Sequence, residues 1–249
     1  MTADEILAAV SHRTFPLRNS HWVIRQEWHD LLFAHWQVPV DLLRAKVPAQ
    51  LELDLWRGEA YVGVVPFLLR NMRPRGVPAI PVISHFAEIN VRTYVTYKGI
   101  PGVYFFSLDA ANLSAVLGAR FAYALPYYHA GFVVGKKGTD ISYASRRLQN
   151  PKPADFSAAY WPTSEIHPYE RPEQSIERFL SERYCLYAVT KRHVYRTVVH
   201  HLPWPLQSAE AVIEQNTMAH PIGISLEGKP LLHFSKFMDV LTWLPEQVD

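Results

Sequence analysis

The chain has 249 residues, 49% of them hydrophobic and 19% charged, with a formal net charge of +2. This is ordinary globular composition, enough for one large β-rich domain or two small ones, and the scattered Lys and Arg offer no concentrated basic face for a nucleic acid. A single cysteine, Cys185, excludes an internal disulfide and a cysteine-rich zinc site.

In chain order, "MTADEILAAVSHRTFPLR" lacks the basic-then-apolar pattern of a secretory signal. A short helix is predicted over 3–10, with Asp4 and Glu5 at its positive end. "WHDLLFAHWQV" (28–38) reads as a mostly buried strand stopped by Pro39, and "VDLLRAKV" (40–47) as one or two helical turns. "LELDLW" (51–56) and "AYVGVVPFLL" (60–69) flank "RGE" as a hairpin-like pair of strands with Gly58 at the turn. The second of these is the longest apolar run and is too short to span a bilayer, so a soluble, cytoplasmic protein without a membrane partner is expected. "RPRGVPAIP" (73–81) is expected to be an irregular loop.

"FAEINVRTYVTY" (86–97) is the most informative segment. Side chains alternate along a strand, so Ala87, Ile89, Val91 and Val95 share one face, while Glu88, Asn90 and Arg92 stand in a row on the other. An outer, solvated sheet face would account for such a row. A row facing a barrel interior would instead give a pocket a carboxylate, an amide and a guanidinium in register, suited to an acidic or hydroxylated ligand. The pattern alone does not choose between the two.

"KGIPG" turns the chain into the strand "VYFFSL", and a helix is predicted over 110–123. "YYHAGFVV", "GKKGTD" and "ISYASRRL" read as a hairpin, and "PEQSIERFLSE" as a helix with Pro172 in its first turn. "YCLYAVT", "HVYRTVVHH" and "LLHFSKFMDVLTW" complete the strands, with a helix near 208–217 before the last. Many short strands and few helices predict a mainly β fold: one large, antiparallel, partly closed barrel with a few short helices. No repeat or linker interrupts it, so a single domain is expected over 1–249, with residues 1–20 as helix and lead-in and 21–245 as barrel.

Templates for phosphate, dinucleotide, zinc-protease and serine-hydrolase chemistry are absent. Neither a cofactor nor a metal is expected. His200 and His201 in "VVHHLPWP" are strand neighbours that face opposite sides, and no third ligand stands at a completing distance. Cys185 in "RYCLYAV" reads as an inert core thiol. Which of His29, His35, His129, His200 and His201 face a cavity is not legible.

"HFAEINVRTYV", "GIPGVYFFSLDA", "ARFAYALPYYHA" and "VHHLPWPL", in this order, resemble the YqjF-like family of uncharacterised bacterial proteins, over roughly residues 22–245. More distantly, "DLLRAKVPAQLELD" (41–54) and "ARFAYALPYY" (119–128) are similar to acetoacetate decarboxylase. That resemblance implies the acetoacetate-decarboxylase-like fold, a closed antiparallel barrel with an internal cavity. In those enzymes two lysines follow the proline of the second segment, and the first forms a Schiff base with the keto acid. Here the matching positions hold Tyr127 and Tyr128, and a phenol forms no imine. Lys136 and Lys137 flank hairpin glycines, and Lys236 is expected to snorkel to the surface.

The resemblance therefore implies a cavity with tyrosine hydroxyls where amines stand in the decarboxylases. Tyr127 and Tyr128 would donate hydrogen bonds or protons and Glu88 would act as base. Arg92, Asn90 and Arg120 would bind a small carbonyl or carboxylate compound, although for Arg120 the favoured role is a structural one, holding the helix against the barrel. A non-catalytic binding protein, an enzyme of acid/base chemistry, and an interaction scaffold, the last compatible with a homo-oligomer, are the three readings open at this point.

Overall fold

The computed structural model describes residues 1–80, 84–112, 123–148, 153–167, 174–191 and 193–249. The first strands are β1 (Ile24–Val38), β2 (Glu52–Leu53), β3 (Ala60–Pro74), β4 (Phe86–Tyr97), β5 (Ile100–Ala110) and β6 (Tyr127–Lys137). They are followed by β7 (Asp140–Arg147), β8 (Asp155–Pro162), β9 (Cys185–Thr190), β10 (His193–His200), β11 (Gln207–Asn216), β12 (Leu231–Thr242) and β13 (Glu246–Gln247). The described helices are short: α1 (Ala3–Ala8), α2 (Val40–Arg44) and α3 (Ile176–Ser181), with a 3-10 turn at His220–Ile222.

Among the described residues, the pairings close two circuits that share a wall. One runs β4-β5-β6-β7-β8-β11-β12-β1-β3 and back to β4, a nine-stranded barrel. The other runs β4-β5-β9-β10-β12-β1-β3, a ring of seven. Pairing is antiparallel except where β5 meets β6 and β9 in parallel. Strands β1, β3, β4, β5 and β12 are therefore common to both circuits, and the central stretches of the first four are buried on both faces. Leu32, Ala34, Val62, Val64, Ile89 and Val91 pack into the nine-stranded core with Tyr143, Phe156 and Tyr160. On the opposite side, Leu31, Phe33, Val65, Phe67 and Leu69 pack with Trp204 and Met238.

Single-residue irregularities keep this second face continuous. On β1 the register breaks between His29 and Ala34, and Asp30 takes φ 50. The break switches the alternation, so even-numbered Trp28 and odd-numbered Leu31 face the same interior. Asn71, also at φ 50, does the same on β3 between Leu69 and Met72. On β5 the shift beside Val91 and Arg92 puts Leu108 and Phe105 on one side.

Several elements differ from the sequence reading. Residues 207–216 form strand β11 rather than a helix: Ala209, Ala211 and Ile213 pack inward while Glu210, Val212 and Glu214 are exposed, a period of two that overrides the helix preference of Ala and Glu. Strand β8, not anticipated, fills the gap between β7 and β11. The expected hairpin around Gly58 is reduced to a bridge between Trp56 and Glu59, and β2 pairs with β4 instead of β3. Strand β3 extends through Pro74 into the segment expected to be loop. Helix α3 is capped by the Ser175 hydroxyl, which accepts from the Arg178 amide; Pro172 lies outside the described residues. Ala110 closes β5, and most of the helix expected over 110–123 falls on 113–122, outside the described residues. Segment 86–97 and the hairpin of β6 and β7 form as expected.

Candidate functional site

The ring of seven encloses a cavity of about 150 Å³. Strand β4 supplies its polar wall. Glu88, Asn90 and Arg92 all face into it and are buried, so the row lies on an interior face rather than on a solvated one. Tyr127, at the start of β6, reaches the same space because the short parallel pairing Leu108↔Tyr127 carries its side chain to the Asn90 side of β5.

Within this wall the Tyr127 hydroxyl donates to Glu88 Oε2 at 3.2 Å. The Tyr143 hydroxyl donates to the Glu88 carbonyl at 2.7 Å, fixing the strand from the nine-stranded side. Burial pushes the Glu88 carboxyl up to about 8; the charge of Asp109 adds to the rise and the Tyr127 bond opposes it. Near neutral pH Glu88 is thus mostly a carboxylic acid that can donate as well as accept. Burial, and then the Glu88 charge, raise the Tyr127 phenol well above its ordinary value.

Arg92 lies deeper along the same strand. One Nη donates to the Leu180 carbonyl at 3.3 Å, at the end of α3, and the guanidinium sits 5.2 Å over the Phe33 ring. Among the described residues it has no carboxylate partner, and its buried Nε makes no hydrogen bond. Among the described residues the buried Asn90 Oδ1 accepts none either. Beneath them the Tyr94 hydroxyl donates to the Leu180 carbonyl at 2.8 Å and lies 2.6 Å from His35 Nε2. Since that hydroxyl has a single proton, His35 Nε2–H is the donor of the second bond, and burial holds the imidazole neutral, its pKa well below the usual value.

Other lining residues escaped the sequence reading. Arg183, just after α3, faces the cavity while paired with Asp54, and stacks 4.4 Å from the Phe179 ring. Tyr123, Ser181, His201 and Trp204 also contribute. These residues lie outside the strands, where alternation carries no signal about facing. Of the five histidines left open, His201 alone lines the cavity among the described residues; His200 instead approaches the Ile6 carbonyl at 2.8 Å. Cys185 is a buried lining thiol pushed up to about 11 by burial.

Tyr128 does not join this group. It points to the other side of β6, where the Arg147 guanidinium lies 4.1 Å over its ring and forks onto Asp109 with two bonds of 2.7 Å. Grouping it with Tyr127 conflicts with strand alternation, which separates neighbours to opposite faces. Arg120 lies outside the described residues. No lysine is among the described lining residues: Lys236 is exposed, and Lys136 reaches Asp30 at 2.6 Å. Among the described residues no three His, Cys, Asp or Glu gather as a metal-holding group, and no helix is long and apolar enough to cross a membrane.

A family model described as an uncharacterized conserved protein, DUF2071, matches residues 25–239. The chain belongs to this family. It is 50% identical to the uncharacterized protein YqjF of Bacillus subtilis (strain 168) over 223 residues, covering 89% of this chain and 91% of that protein. This DUF2071 chain is also similar in fold to the acetoacetate decarboxylase of Legionella pneumophila, with a TM-score of 0.62, 13% identity and coverage of 98% and 95% of the two chains. An acetoacetate decarboxylase-like enzyme of Sphingomonas wittichii RW1 gives 0.63 at 10% identity, covering 95% and 99%. The enduracididine biosynthesis enzyme MppR, complexed with pyruvate, gives 0.57 at 13% identity, covering 93% and 92%. The DUF2071 fold is therefore acetoacetate-decarboxylase-like, a mainly β barrel with a few short helices, as the sequence resemblance implied.

Proposed function

We propose that this DUF2071 protein binds a small carboxylate or carbonyl compound non-covalently in the cavity of its seven-stranded ring. The observation that carries the reading is Arg92: a buried guanidinium without a carboxylate partner among the described residues, facing a cavity beside the open acceptor of Asn90. A buried charge needs a counter-charge or full hydrogen bonding, and a ligand carboxylate supplies both. Arg183 is already neutralised by Asp54, and Glu88 is mostly uncharged, so the lining has room for an anion. Pyruvate, held by the fold neighbour MppR, belongs to the same chemical class. Tyr127 stands where the resemblance places the Schiff-base lysine, so imine chemistry does not transfer.

Calorimetry and native mass spectrometry with a panel of small carboxylates test the reading. Binding by the wild type that disappears in Arg92→Met supports it; equal binding by both proteins refutes it.

A second reading, acid/base catalysis on the same ligand, is favoured by one specific feature. Glu88 is a buried acid with a pKa brought near neutrality, hydrogen-bonded to Tyr127, inside the cavity. It requires that Glu88→Gln and Tyr127→Phe lower turnover of any substrate that is found; unchanged turnover in both leaves only binding.

A further inference from the structure

The cavity wall changes in kind from β4 to its neighbours β3 and β1. Beside the polar row of β4, strands β3 and β1 continue the wall with Phe67, Leu69, Trp28 and Leu31, Phe67 being the direct strand partner of Glu88, and Trp204 adds to this stretch from the segment after β10. The Trp28 ring centroid lies 5.6 Å from Phe67 and 5.8 Å from Trp204, so this stretch is largely aromatic. The polar stretch carries a single open charge: Arg92 is the cationic lining side chain that lacks an acid partner among the described residues.

We propose, resting on the anion-binding reading above, that the cognate ligand is a monocarboxylate carrying one aromatic ring. Its carboxylate lies against Arg92 and its ring against Trp28, Phe67 and Trp204. One uncompensated guanidinium matches one negative charge, which disfavours dicarboxylates. The volume of about 150 Å³ equals that of a cavity that holds a single benzene-sized ring. An acid the size of acetate fills the polar end and leaves the aromatic wall facing water, forfeiting the burial and ring-packing terms.

Isothermal titration of the full-length protein with phenylacetate, acetate and benzyl alcohol tests this. Phenylacetate is expected to bind about tenfold tighter than either of the others. Arg92→Met is expected to reduce it to the level of benzyl alcohol, and Arg92→Lys, which keeps the charge but loses the fork, to an intermediate level. Circular dichroism of both variants establishes that they are folded, and the lysine variant carries the test if the methionine variant is not. Acetate binding as tightly as phenylacetate, with both weakened in the Arg92 variants, overturns the aromatic inference and leaves the anion reading intact. Benzyl alcohol binding as tightly as phenylacetate, or no binding of any of the three at millimolar concentration, overturns both.

Discussion

Tyr127 and Tyr128 are chain neighbours that serve opposite sides of one strand. The Tyr127 hydroxyl donates to Glu88 Oε2 at 3.2 Å inside the cavity, whereas the Tyr128 ring lies 4.1 Å beneath the guanidinium of Arg147. The first contact belongs to the candidate site. The second joins the pair Asp109–Arg147, whose side chains are each 1% exposed, at the short parallel seam of β5 and β6. The seam is what brings Tyr127 to Glu88, so site and scaffold meet at these two residues.

Glu88 makes stability fall with rising pH. Its folded value of about 8 exceeds the ordinary 4.5, so between these values the folded protein holds a proton that the unfolded chain has released. Its contribution is fully present below about pH 4.5 and is lost as pH rises through 8. Urea midpoints of wild type and Glu88→Gln between pH 5 and 9 measure this. The wild type is expected to lose stability relative to the variant across the range; parallel curves contradict the assignment.

His200 and His201 act in the opposite sense. Burial lowers them to about 4 and about 3 from the ordinary 6.5, so the unfolded chain takes up protons first as pH falls. Their contribution is present above about 6.5 and is lost on acidification toward those folded values. His201→Gln is expected to flatten the loss of urea resistance between pH 7 and 4, and an unchanged slope would argue against a buried neutral imidazole.

Breaking the Asp109–Arg147 pair on one side leaves a buried charge without its partner. Arg147→Met is expected to cost about 3–5 kcal/mol in urea unfolding. Asp109→Leu combined with Arg147→Met should recover a large part of that, because no buried charge remains. A double variant less stable than the single one contradicts this account.

Gly102 lies where β5 approaches β9. A Cβ there would sit 2.7 Å from Tyr187 Cε2 and 2.9 Å from the Cys185 carbonyl oxygen, and the latter is backbone that cannot swing away. Gly102→Ala is expected to destabilise by about 1–3 kcal/mol. Gly131→Ala, whose Cβ meets nothing within 4 Å, is the control and should change thermal unfolding little. Equal effects at both positions would remove the close approach as the cause.

Cys185 is fully buried, and its thiol is pushed up to about 11. The folded protein should therefore resist an aromatic disulfide reagent at pH 8 and react with it on unfolding in urea. Rapid reaction of the native protein would show that the cavity wall opens.

The alternation in 86–97 determined by itself that Glu88, Asn90 and Arg92 share one face of a strand, because side chains of extended backbone must alternate. The same rule already separated Tyr127 from Tyr128. The motifs in order also carried the family and, through it, the barrel. Tertiary structure alone decided that the polar row faces an interior, since a second ring of strands must close over that face before it leaves water. It also decided the pairing of Arg147 with Asp109 and of Arg183 with Asp54, contacts between residues far apart in the chain that no local pattern encodes. The strand at 207–216 belongs to the same class. Ala and Glu favour a helix locally, and only the free edges of β8 and β12 draw the segment into the sheet.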